Sequence, residues 1–384
     1  MFQLPSFLPF SVPSILTHVE NTIKPALGHL ERVLLPLAIH AKQMIFPVAQ
    51  SVGGALLPAV TKLDETLWPL DTIAERMVIQ ANTIIGEQTR EFCTFVTRRT
   101  LHLHTELSAE EVAATHAQAC EALKTLPPEK NGKVVSLQRE AGITLNGVEI
   151  TTNPLAEISE QKWIIYFLPR GTMWEQELKK IMFLSSIFKP EDGVNIICFN
   201  YRGLCSENDV PHSEDDFIQD GNAIVAELLK RGILPKNILL HGFSLGGGVA
   251  TQVAALTSKE GLKLALCNER SFTSLSAVLE EMVPVGGPHL GKIVAENGWK
   301  LDSQSVTHLI QGKVLVLSHP KDVVIRSEAQ FRRCISSAAQ EIIMSDESSE
   351  DLPSQIYNRL WAHGRAWNES EIERYVTFVR EVLF

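Results

Sequence analysis

The chain has 384 residues, 45% hydrophobic and 21% charged, enough apolar material to offset the entropy of ordering a core, so wholesale disorder is excluded. Its length is about 2.6 times the ~150 residues of an average domain, which excludes a lone small module. With 35 basic against 45 acidic residues the net charge is −10, and no nucleic acid partner is expected because no broad positive field would hold its phosphates.

The N-terminal stretch MFQLPSFLPFSVPS lacks a basic leader and is broken by prolines at positions 5, 9 and 13, so no cleavable signal peptide is expected. Gln43–Thr61 carries no charge over nineteen residues, but Pro47, Pro58, Gly53 and Gly54 make it a weak span for a bilayer that needs ~20 mostly apolar residues. Six scattered cysteines, with no C-x-x-C pair and no metal-ligand spacing, point to a cytosolic-type reducing compartment and to no bound metal.

Prolines recur every eleven residues at 25, 36, 47, 58 and 69. In register with them, Ile23, Leu34, Ile45, Leu56, Leu67 and Val78 form one apolar column, and two further apolar columns follow. Eleven residues in three turns is roughly 3.67 per turn, close to the natural helix period, so the columns make one stripe with the prolines nearly opposite. Outward prolines bend a helix around its apolar side. Three occupants fit that side over residues 23–88: a lipid interface at the membrane periphery, a helical bundle with the neighbouring domain or a second copy, or several short helices restarting at each proline. The period resembles that of apolipoproteins and lipid-droplet coat proteins.

Ser108-Ala-Glu-Glu111 reads as a capping box opening a helix that runs to about Leu126. Pro127-Pro128 stops it, and the polar segment PPEKNGK over 127–133 reads as a linker. The expected division is therefore a helical region over 1–126, the linker, and a second domain over 134–384. In that domain ITLNGVEITT reads as two strands around a two-residue turn at Asn146-Gly147. Short apolar runs follow at Trp163–Leu168, Val194–Phe199, Ile238–Leu240, Leu262–Cys267 and Lys313–Leu317, with Gln340–Met344 as the last strand and Glu369–Leu383 as the closing helix. Runs of this length alternating with helical sequence predict an α/β fold, a mostly parallel sheet covered on both faces.

At the end of one such strand the chain reads HGFSLGGGVATQVAAL. A bare G-x-S-x-G is a weak signal; a buried strand before it and a small-residue helix after it make it a nucleophile elbow. Ser244 would stand exposed on the turn, with the Leu245 amide aimed at the same space. A serine hydroxyl needs a base and a carboxylate to orient that base. Asp322, just past the Lys313–Leu317 strand, and His363, between the last strand and the closing helix, supply them in the order Ser, Asp, His. Asp322 could instead merely cap the helix after VVIRS. A second oxyanion donor belongs in the loop after the Trp163 strand, where Thr172 N–H is expected by position.

Residues from about 133 to 384 resemble the α/β-hydrolase superfamily through GFSLGGG at Ser244, FNYRG at Tyr201-Arg202-Gly203, NERSFTSL at Arg270, HPKD at Asp322 and AHG at His363. NYRG and ERSF resemble the branch holding membrane-associated serine hydrolases and prolyl-peptidase-like enzymes, which implies scaffold roles for Arg202 and Arg270. The whole chain is similar to the CHLPS family of chlamydial hydrolase-like proteins, whose members pair such a domain with an N-terminal extension. Arg170 stands where related enzymes commonly have a histidine before glycine; it would meet an anionic substrate or pair with Glu175 or Glu177. The implied activity is a cofactor-free serine hydrolase acting on an ester, thioester or amide. The rivals are transfer of the acyl group to another acceptor and a catalytically silent scaffold that presents the helical arm. Val283–Gly291 reads as a flap or a plain loop.

Overall fold

The computed structural model describes residues 107–139, 142–152, 157–204, 211–282, 287–335, 339–344 and 362–384. The eleven-residue repeats over 23–88 and the Gln43–Thr61 candidate lie outside the described residues. The first described helix, α1 (Ala109–Leu123), opens on the expected capping box: Ser108 Oγ accepts from Glu111 N–H at 3.2 Å, and Glu111 accepts from Ser108 N–H at 2.7 Å.

The segment read as a linker over 127–133 carries structure, because β1 (Lys130–Gln138) begins inside it. Its polar composition is that of an edge strand, with half its side chains in water. Gly132 has a packing reason to be there, since a Cβ would lie 2.6 Å from Leu126 Cδ1 and 2.8 Å from Leu123 Cδ2. β2 (Thr144–Thr152) pairs antiparallel with β1 over its full length, from Lys130↔Thr152 to Gln138↔Thr144. The expected hairpin turn at Asn146-Gly147 therefore falls in mid-strand. Gly147 serves close approach there: a Cβ would sit 2.2 Å from Cys198 O.

The remaining strands follow the predicted runs to within a few residues: β3 (Lys162–Phe167), β4 (Val194–Phe199), β5 (Ile238–Phe243), β6 (Ala265–Glu269), β7 (Val314–Ser318) and β8 (Gln340–Ile343). The longer helices between and after them are α2 (Trp174–Ser186), α3 (Glu214–Lys230), α4 (Leu245–Lys259), α5 (Leu275–Met282), α6 (Gly287–Glu296) and α7 (Glu369–Leu383). The sheet order is β1-β2-β4-β3-β5-β6-β7-β8; β1 pairs antiparallel with β2 and β2 antiparallel with β4, and all later neighbours are parallel.

The unbroken apolar runs have a direct cause in β3. Trp163, Ile165 and Phe167 enter one core with α3 and α4, whereas Ile164 and Tyr166 enter the other with α1, α2 and α7. Both faces are dry, so the period-2 polar alternation is lost. Of the expected flap, residues 287–291 form the first half of α6 and 283–286 lie outside the described residues. Among the described residues no helix is long and apolar enough to cross a membrane.

Candidate active site

Ser244 occupies the junction of β5 and α4 with φ 54° and ψ −118°, a conformation that costs an L-residue about 1–3 kcal/mol and persists only when its surroundings enforce it. Two glycines enforce it by allowing backbone to touch backbone. A Cβ on Gly242 would lie 2.1 Å from Gly246 O, and one on Gly246 would lie 2.2 Å from Phe167 O and 2.6 Å from Leu168 O. The second contact presses the start of α4 against the end of β3, bringing the loop after Phe167 beside the elbow. Gly246→Ala is accordingly expected to destabilise the fold by about 1–3 kcal/mol, measured as a lower urea midpoint.

His363 reaches the serine, its Nε2 lying 2.9 Å from Ser244 Oγ, and its Nδ1 lies 2.7 Å from Asp322 Oδ2. A carboxylate can only accept, so Nδ1 carries the proton and Nε2 presents its lone pair to the hydroxyl. Asp322 caps its own turn and not a helix after VVIRS: Oδ1 accepts from the N–H groups of Val324 and Ile325, each at 2.9 Å. One oxygen holds the loop and the other holds the imidazole. Asp322 is buried, while the His363 side chain is 14% exposed, open enough for a substrate and covered on one side by the Phe243 ring at 5.2 Å. The neighbouring histidines are otherwise engaged: His319 Nδ1 accepts from Lys321 N–H at 3.1 Å, and His241 is buried beneath the elbow.

In the loop after β3, the amide of Met173 donates to Gln176 Oε1 at 2.9 Å and that of Trp174 to Asn200 Oδ1 at 2.7 Å. Among the described residues the amides of Thr172 and Leu245 donate to no protein acceptor. Arg170 is exposed on the same loop. Glu175, one of its suggested partners, is held by His116 and Asn200.

Beneath the relay is a buried charge cluster that the sequence analysis did not single out. The Glu269 carboxylate accepts from Trp367 Nε1 at 2.8 Å, from Lys180 Nζ at 3.3 Å and from the Arg270 guanidinium, and it faces His241 Nε2 at 3.0 Å. Burial alone would raise its pKa, but Lys180, Arg270 and the His241 bond together hold it well below the usual carboxylate range. Burial lowers the His241 pKa against the opposing pull of Glu269, with Lys180 and Arg270 adding to the lowering; the Glu269 carboxylate can only accept, so Nε2–H donates to it, and the other ring nitrogen, Nδ1, meets Tyr375 Oη at 2.9 Å.

The cluster is tied to Ser244 and to the backbone on either side of His363. Ser244 N–H donates to Glu269 O at 2.9 Å, and the Arg270 guanidinium donates to the carbonyls of Ala362 and Arg365 at 3.4 and 3.0 Å, bracketing His363. The signal available in the sequence was a charged Glu-Arg pair ending a strand buried on both faces. Arg202 is bound by Asp216 and Asp220, consistent with a scaffold role.

A solved 2,6-dihydroxy-pseudo-oxynicotine hydrolase superposes over 79% of this chain and 84% of its own, with a TM-score of 0.53 at 15% identity. This is the α/β-hydrolase fold. No family model matches the chain. Protein bem46 of Schizosaccharomyces pombe is 28% identical over 144 residues, 37% of the chain and 46% of that relative. The multifunctional-autoprocessing repeats-in-toxin protein of Vibrio cholerae is 33% identical over 91 residues, 23% of the chain and 2% of the toxin. The chain thus spans less than half the length of these curated relatives.

Proposed function

We propose that the protein is a serine hydrolase cleaving an ester, thioester or amide through an acyl-enzyme on Ser244. The observation that carries this reading is the unbroken line from Asp322 Oδ2 through His363 to Ser244 Oγ, with contacts of 2.7 and 2.9 Å, ending on a strained turn. The structural neighbour named above is itself a hydrolase, which supports hydrolysis as the broad reaction class.

In the proposed reaction His363 Nε2 takes the hydroxyl proton as Ser244 Oγ attacks the carbonyl carbon. Asp322 stabilises the imidazolium, and the amides of Leu245 and Thr172 receive the oxyanion. The imidazolium then protonates the leaving group, and the same base activates water to release the acid. The base contributes about 10²–10⁴ in rate and each oxyanion donor about 10²–10³.

A fluorophosphonate probe tests the reading on the full chain. Labelling is expected in the wild type and lost in Ser244→Ala. A folded wild type that takes no label would overturn it in favour of a silent scaffold.

A further inference from the structure

A second nucleophile stands away from Ser244, where α1 crosses the start of α2. His116 Nδ1 lies 2.9 Å from Glu175 Oε1, and the other Glu175 oxygen accepts from Asn200 Nδ2 at 3.1 Å. The imidazole meets the Trp174 ring edge-on, with centroids 5.7 Å apart, so its plane is set on two sides. The carboxylate accepts, hence the proton sits on Nδ1 and the Nε2 lone pair is free to receive one. That lone pair faces Cys120 Sγ at 3.5 Å, from one helical turn away. A nucleophile, a base within hydrogen-bond reach and a third group orienting the base together form the arrangement that activates thiols and hydroxyls.

The other cysteines among the described residues provide a contrast. Cys198 and Cys267 are buried, and Cys334 bonds Phe331 O at 3.1 Å and Thr307 Oγ1 at 3.8 Å, with no imidazole partner. Cys120 also lines a groove of about 380 Å³ between α1 and β1, walled by Leu123, Leu126, Pro127 and Val134, with Lys124 and Lys130 among its lining. That volume is in the range of small-molecule sites.

We propose that Cys120 is a self-acylating thiol that takes an acyl group from an acyl thioester, with the acyl chain lying along this groove. The Cys120 proton passes to His116 Nε2, and the sulfur attacks the thioester carbonyl carbon. The donor C–S bond breaks as the tetrahedral intermediate collapses, and the departing thiolate recovers the proton from His116. The products are a Cys120 thioester and a free thiol, with no oxidant or reductant. A thioester is the donor class indicated because its thiolate leaves readily and one thioester replaces another. The apolar walls suit the acyl chain; of the groove lysines, Lys124 pairs with Glu121 and Lys130 donates to Ser185 O. This activity does not depend on the hydrolase reading.

The test uses the full chain carrying Ser244→Ala, so that the other nucleophile neither donates nor removes acyl groups. It is incubated with octanoyl-coenzyme A or acetyl-coenzyme A, and hydroxylamine-labile thioesters are mapped by mass spectrometry. Octanoylation is expected at Cys120 and not at Cys334, faster than acetylation, and slowed about tenfold or more by His116→Gln and by Glu175→Gln. Cys334 alkylation by iodoacetamide, unchanged between variants, reports that the fold is intact. Equal acylation of Cys120 and Cys334, or no slowing in either variant, overturns the proposal. Equal octanoyl and acetyl rates overturn the groove's part in it.

Discussion

Replacing Asp322 by asparagine is expected to lower kcat by about 10⁴ while leaving KM and the folded structure nearly unchanged. The reason lies in how the carboxylate is divided. Oδ1 accepts two backbone N–H groups, so the asparagine must place its carbonyl oxygen there. Its NH₂ then faces His363 Nδ1, which has to accept. The imidazole is driven into the opposite tautomer and turns an N–H toward Ser244 Oγ, leaving no lone pair to take the hydroxyl proton. Steady-state kinetics on the best ester substrate, with thermal unfolding as a control, measures this. A variant retaining more than a tenth of wild-type kcat would show that Asp322 does not set the tautomer.

Glu269→Gln is expected to cost about 3–5 kcal/mol of stability, read from urea midpoints at pH 7, because it strips a buried cluster of its anion and leaves Lys180 and Arg270 facing each other. Four donors converge on the Glu269 carboxylate. A glutamine offers one acceptor oxygen and turns an NH₂ against the remaining donors, so the isosteric shape does not help. The pH dependence carries a sign of its own. The folded value of Glu269 lies well below 4.5, whereas the unfolded chain binds a proton near pH 4.3. As pH falls through the unfolded value, the unfolded state takes up a proton that the folded state refuses, and wild-type stability drops until the folded value is passed. The gap between wild type and Glu269→Gln should therefore narrow from about pH 4.5 downward. A gap that stays constant from pH 7 to pH 3 would refute the assignment of a charged Glu269.

The candidate site was legible in the sequence because its members carry local signals: Ser244 lies between two glycines at a strand-to-helix turn, Asp322 follows a strand, and His363, which the structure puts in a helical turn over 362–364, precedes the closing helix. Strand positions were legible for a related reason, since burial on both faces leaves unbroken apolar runs. Asn146-Gly147 misled because glycine marks both a turn and a close backbone approach, and only the neighbouring Phe199 strand decides between them. Residues 127–133 misled because an edge strand and a linker are both polar. The Glu269 cluster joins residues from 180 to 375, and the Cys120 relay takes its base from the same helix but its carboxylate from residue 175. Contacts of that span have no pattern in one chain.

The order in which the chain is made has a consequence for when the elbow can act. The hydroxyl sits at position 244, but the imidazole, the indole that binds Glu269 and the phenol that binds His241 arrive at 363, 367 and 375. A nascent polypeptide halted on the ribosome anywhere before residue 363 therefore carries a serine with nothing to deprotonate it. Under the proposed reading, chains ending before residue 363 would lack the base, and no fluorophosphonate labelling of Ser244 is expected from them.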